Sequence, residues 1–105
     1  MDKKTTVKHL KPYITAVRKH FDVEMVVLYG SLSKGTARMD SDIDVAVVVD
    51  SLREDLLDAE AKLFRLRRTI DDRIHPVLLE SANDRSGFLA EITKNGDVLY
   101  QKAVK

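Results

Sequence analysis

Leu28-Tyr29-Gly30-Ser31-Leu32-Ser33-Lys34-Gly35-Thr36-Ala37-Arg38-Met39-Asp40-Ser41-Asp42-Ile43-Asp44 is the stretch on which the reading of this chain turns. It opens at the end of an apolar run, Val23-Glu24-Met25-Val26-Val27-Leu28-Tyr29, which predicts a buried strand stopping at Gly30. It closes in a second such run, Ile43-Asp44-Val45-Ala46-Val47-Val48-Val49. The residues between are rich in Gly, Ser and Thr and show no alternation, so they read as a loop. Gly30-Ser31 thus lies where a strand hands over to a loop. The missing Cβ of a glycine lets backbone N–H groups approach a phosphate closely. If Ser31 opens a helical turn, the unpaired N–H groups there favour an anion, and the Ser31 hydroxyl can add a hydrogen bond. Ten residues separate Ser31 from Asp42. Alternation sends the carboxylates of Asp42 and Asp44 to one face of the second strand and turns Ile43 into the core. Two adjacent carboxylates repel unless a cation lies between them. Mg²⁺ suits that place, because it takes one or two carboxylates and completes its shell with phosphate oxygens and water.

Outward from this segment the chain reads as one domain, residues 1–105, with no internal repeat and no linker. Val7, Leu10, Ile14, Val17 and Phe21 recur at helical spacing. Pro12 falls inside that stretch and predicts a short turn before the main helix. After the second strand, Ser51 and Glu54 have the spacing of a capping box. Leu52, Leu56, Ala59, Leu63, Leu66 and Ile70 then form an apolar stripe that ends at Asp71-Asp72. Arg73 to Leu79 reads as a third strand, Asp84 to Lys94 as a last helix capped by Asn95-Gly96, and Val98-Leu99-Tyr100 as a short final strand. The order α-β-β-α-β-α-β predicts an α/β (α+β) fold, a small mixed sheet with helices packed on it.

Composition narrows the function classes. The chain has 105 residues, 44% hydrophobic and 33% charged, as an ordinary globular domain does. A net charge of +1 argues against nucleic acid held mainly through charge. Absence of cysteine excludes disulfides, thiolate catalysis and thiolate-bound metals. Met1 to Thr6 lack the apolar core of a signal peptide, and no run reaches membrane-spanning length, so a cytoplasmic location is the expectation.

Other phosphate-binding patterns fit less well. Gly30-x4-Gly35-Thr36 lacks the lysine that follows the second glycine of a Walker A loop. In an aspartate-nucleophile phosphatase the D-x-D pair stands at the far end of its strand, whereas here the apolar run Val45 to Val49 follows the acids. Gly30-Ser31, ten intervening residues and Asp42-Ile43-Asp44 resemble the G-S-x10-D-x-D signature of the DNA polymerase β-like nucleotidyltransferase superfamily. The likeness is to its smallest members, the minimal nucleotidyltransferases of antitoxin type. It extends to the leading helix, Lys34-Gly35, Ser41 before the acids and the long following helix. The resemblance implies the nucleotidyltransferase fold, with Asp42 and Asp44 as ligands of two Mg²⁺ ions and Gly30 and Ser31 holding the triphosphate of ATP. Lys34 and Ser41 would be supporting contacts. An acceptor hydroxyl would attack the α-phosphate and pyrophosphate would leave.

The pattern departs from the family at one point. A third carboxylate is expected from the strand beside the D-x-D strand, and there the chain has His75. Asp72 and Glu80 flank that strand with the opposite alternation. Three readings stay open: His75 acts as ligand or base, Asp72 is recruited by a twist, or the third ligand is missing. His9 and His20 read as surface or helix-edge residues, with no partner in sequence to suggest a metal. Lys62, Arg65, Arg67, Arg68 and Arg73 read as a solvated basic face, and Met25 and Met39 as packing residues.

The resemblance implies transfer of a nucleoside monophosphate, AMP from ATP, to a hydroxyl on a helical HEPN-type toxin partner. The competing reading is a non-catalytic antitoxin that acts on its partner by contact. Self-association into a homo-oligomer and modification of small molecules by a larger assembly are further possibilities that no residue here selects.

Overall fold

The computed structural model describes residues 3–30, 42–84 and 86–103. Its elements are α1 (Lys3–His20), β1 (Val23–Tyr29), β2 (Ile43–Val49), α2 (Leu56–Leu66), β3 (Ile74–Glu80), a 3₁₀ turn (Ser81–Asn83), α3 (Phe88–Asn95) and β4 (Asp97–Gln101). The strands form one sheet in the order β3-β2-β1-β4. β1 runs antiparallel to β2 and β4, and β2 runs parallel to β3, so the sheet is mixed as the element order predicts.

Strand alternation divides the apolar residues between two faces. On one face Ile43, Val45, Val47 and Val49 of β2 join Val26, Leu28, Ile74 and Leu78 beneath Leu10, Tyr13, Ile14 and Val17 of α1 and Ala59 and Leu63 of α2. On the other, Val27 and Ala46 pack with Ile92 of α3, flanked by Met25, Tyr29, Leu79, Phe88 and Leu89. The central strand β2 is therefore covered on both sides. Tyr13 is fully buried and donates from its hydroxyl to the Leu63 carbonyl at 2.9 Å, tying α1 to the last turn of α2, where carbonyls lack helical partners.

Several local expectations are corrected. Pro12 does not interrupt the first helix, which is continuous from Lys3 to His20. Leu10 precedes the proline while Tyr13, Ile14 and Val17 follow it, and all four are buried. Burying each large side chain contributes about 1.5–3 kcal/mol, enough together to offset a proline cost of about 3 kcal/mol. Ser51 and Glu54 do not start α2. Asp55 caps it instead, its Oδ1 accepting from the Leu57 and Asp58 amides at 2.9 and 3.3 Å. Residues 51–54 are held elsewhere: the Leu52 amide donates to Glu80 Oε2 at 3.0 Å, and Glu54 pairs with Lys62 at 3.4 Å.

The third strand starts at Ile74 rather than Arg73, because the Arg73 amide donates to Asp71 Oδ1 at 2.8 Å. α3 begins at Phe88 rather than Asp84, and the Asp84 carboxylate reaches forward to accept from the Leu89 and Ala90 amides. The helix ends at Asn95-Gly96 as expected, though Gly96 is not left-handed. Glycine is required there because a Cβ would come within 2.6 Å of the Ile92 and Leu28 carbonyl oxygens.

His9 is half-buried on α1 and meets Asp71 from a distant segment of the chain. Its Nε2 lies 2.9 Å from Asp71 Oδ2, and Arg73 grips the same carboxylate at 2.7 Å. These contacts hold the Asp71 carboxyl well below the usual range, the Arg73 hydrogen bond being the largest cause. Nor is the basic stretch uniformly solvated: Arg67 donates to the Asp72 and Ile74 carbonyls and lies over the Phe64 ring.

Candidate functional site

One end of the sheet gathers the described residues among the candidates that the sequence singles out. β1 finishes there while β2 and β3 begin. Because β1 is antiparallel to β2 and β2 is parallel to β3, the registers place Tyr29 opposite Asp44 and Asp44 opposite His75, a continuous row across three strands. Ile43 is fully buried on the α1/α2 face, so Asp44 rises on the α3 face, the side of Ala46. Asp42, two residues earlier, precedes the strand and is exposed.

Gly30 closes the row from the loop side. It has φ +79°, in the region that L side chains avoid, and a Cβ added to it would collide with Asp44 Oδ2. The glycine is thus needed both for backbone conformation and for the space the carboxylate occupies.

The electrostatics of the described residues centre on Asp44. Burial pushes the Asp44 carboxyl above its ordinary value and the Asp42 charge adds to the shift, while His75 opposes it. The Tyr29 phenol is pushed up too, first by burial and then by Asp44. Tyr29 is a site neighbour that sequence reading treated only as a strand end. Its position next to Gly30 was the available signal. His75 is exposed, and its ring stands edge-to-face against Phe64 of α2, centroids 5.9 Å apart at 80°.

Asp72 is exposed and precedes the paired part of β3, while Glu80 at the opposite end of that strand is engaged with Leu52. Among the described residues no three His, Asp or Glu side chains converge to hold a metal ion by themselves. Asp44, whose charge burial destabilises, and the neighbouring Asp42 nevertheless fit Mg²⁺ carried in with a nucleotide, since phosphates and water complete its shell. Ser31, Lys34 and Ser41 lie outside the described residues, as do Arg38 and Met39.

The family described as Polymerase beta, Nucleotidyltransferase matches residues 11–105. Comparison with curated proteins gives no match. Among solved structures, a proposed nucleotidyltransferase from Sulfolobus solfataricus is similar over 95% of this chain and 84% of its own, with a TM-score of 0.69 and 20% identity. A toxin–antitoxin structure with AMP-PNP is similar over 97% of this chain and 75% of that one, with a TM-score of 0.63 and 26% identity. A mutant of the toxin–antitoxin MntA–HpeT, with two aspartates two positions apart changed to glutamate, is similar over 97% and 75%, with a TM-score of 0.58 and 19% identity. Among the described residues no helix is long and apolar enough to cross a membrane.

Proposed function

This chain belongs to the Polymerase beta nucleotidyltransferase family, and we propose that it transfers AMP from ATP to a hydroxyl of a helical toxin protein of the HEPN type. The observation that carries this reading is the fit of Gly30 against Asp44 beside Asp42, at the sheet end where His75 also stands. The likeness to a toxin–antitoxin structure with AMP-PNP favours both the nucleotide and a protein partner.

In this reading Asp42 and Asp44 hold Mg²⁺, which when bound neutralises phosphate charge and lowers the pKa of the acceptor hydroxyl. Gly30 brings backbone N–H groups to the triphosphate, and Ser31, Lys34 and Ser41 supply further contacts to it. The acceptor oxygen bonds to the α-phosphorus as the bond to the bridging β-phosphate oxygen breaks. Pyrophosphate leaves, and the acceptor's proton passes to the His75 imidazole.

The experiment is incubation with ATP, Mg²⁺ and the product of the neighbouring gene, followed by intact-mass measurement of that product. A gain of one or more AMP units on a hydroxyl side chain is expected. Robust transfer to a free aminoglycoside by this chain alone would overturn the protein-acceptor assignment.

One observation favours a second reading, an antitoxin that acts by contact alone: His75 stands where the family's third carboxylate is expected. Absence of pyrophosphate release with the partner present, together with tight complex formation, selects that reading.

A further inference from the structure

A groove opens on the α3 side of Gly30, lined by Tyr29, Gly30, Phe88, Glu91, Ile92, Asn95 and Gly96, with a volume of about 590 Å³. That is within the range of small-molecule sites, roughly 300–1,000 Å³. We infer that this groove receives the nucleoside of the triphosphate, with Glu91 and Asn95 selecting a base that carries an exocyclic amino group. The inference rests on the nucleotide site proposed above and assigns the part of the ligand that the acids and the glycine loop leave unbound.

Position comes first. The groove and the Asp44 carboxylate share Gly30 as a wall, and both lie on the α3 face of the sheet. A ligand with phosphates at Gly30 can extend into the groove without crossing a strand.

The lining then decides which part of the ligand enters. Among the described lining residues none is cationic and Glu91 is acidic, which favours an uncharged nucleoside over triphosphate there. Tyr29 and Phe88 form an aromatic wall, their rings edge-to-face at 5.6 Å and 87°. Such a surface favours a flat heterocycle. Ile92, 5% exposed, supplies an apolar floor.

Polarity sets the base. Glu91 and Asn95 are four residues apart, so they share one flank of α3, and both are exposed. Asn95 Nδ2 donates to the Glu91 carbonyl at 3.2 Å, so the group it offers a ligand is the acceptor Oδ1. A carboxylate and an amide oxygen are both acceptors, and they match the N–H donors of adenine or cytosine rather than the carbonyl that uracil presents at the same edge.

The test is calorimetric titration of ATP, UTP and inorganic tripolyphosphate, each with Mg²⁺, into wild type, Asn95→Ala and Glu91→Gln. Both side chains are exposed, and circular dichroism checks that each variant keeps its fold. The expected result is that each variant loses roughly three- to tenfold in affinity for ATP while tripolyphosphate is unchanged, as for one lost hydrogen bond. Wild type should also prefer ATP to UTP. If both variants bind ATP as wild type does, or lose tripolyphosphate to the same extent as ATP, the groove assignment is overturned and the proposed triphosphate site stands. If wild type binds neither ATP nor tripolyphosphate, the underlying nucleotide reading falls and takes this inference with it.

Discussion

Asp44 Oδ2 occupies the volume that a Cβ on Gly30 would fill, so the glycine loop and the acidic strand are matched to each other at the level of a single carbon atom. Gly30→Ala should therefore act twice. It places a side chain at φ +79°, which costs about 1–2 kcal/mol, and it displaces the Asp44 carboxylate. We expect a lower melting temperature and at least a tenfold loss in Mg²⁺–ATP affinity. A Gly30→Ala protein that binds Mg²⁺–ATP like wild type would remove the structural basis of the site.

Asp44→Asn should stabilise the metal-free protein near neutral pH. The Asp44 carboxyl is raised by burial and by Asp42, so its contribution is fully present below the unfolded-state pKa and is lost as pH rises through the higher folded value. The asparagine carries no such loss. Because the group is only partly buried, the gain should stay under about 1 kcal/mol, and it should vanish below the carboxylate range. Thermal melts of both proteins at pH 3 and pH 7 check it. A variant less stable than wild type at pH 7 would contradict the assigned strain.

The Asp71 clamp has the opposite sign. Its carboxyl is held low chiefly by the Arg73 hydrogen bond, with His9 contributing. That stability is present above the unfolded-state pKa and is lost as pH falls towards the depressed folded value. Asp71→Asn should cost about 1–3 kcal/mol at neutral pH, as for lost hydrogen bonds to a charged group, and the gap from wild type should narrow in acid. A pH-independent difference would assign the effect to packing instead.

The two central strands and the placement of Asp44 were legible because both follow from local pattern. Apolar runs 23–29 and 43–49 match β1 and β2 at both ends, and alternation alone separates Ile43 from Asp44. Contacts that join distant segments were not legible. His9 and Asp71 are 62 residues apart, and no local signal ties Glu80 to the Leu52 amide. Pro12 and Ser51 misled for a related reason. Local rules weigh a proline or a capping box without the tertiary burial or the rival cap, Asp55, that decides the outcome. The groove under α3 had no sequence signal, since Glu91 and Asn95 acquire meaning only once Gly30 and Tyr29 lie beside them.

His75 stands in register with Asp44 on the neighbouring parallel strand, where one substitution restores a carboxylate to the row. His75→Asp should keep or increase Mg²⁺-dependent pyrophosphate release, because Mg²⁺ prefers oxygen to imidazole nitrogen. His75→Ala should lower it by roughly a hundred- to ten-thousandfold if the imidazole takes the acceptor's proton. Rates measured for all three proteins between about pH 6 and 8 span the range in which an imidazole changes charge. Identical profiles for His75→Ala and wild type would exclude a catalytic part for His75 and return attention to Asp72.

The central claim is that Asp42 and Asp44, set against Gly30, form a Mg²⁺–nucleotide site. Calorimetric titration of ATP into wild type and into the Asp42→Asn/Asp44→Asn double variant, each with and without Mg²⁺, tests it most directly. The account predicts Mg²⁺-dependent binding to wild type, at least a tenfold loss in the double variant, and a retained fold by circular dichroism. Equal Mg²⁺-dependent affinity in the two proteins would contradict it.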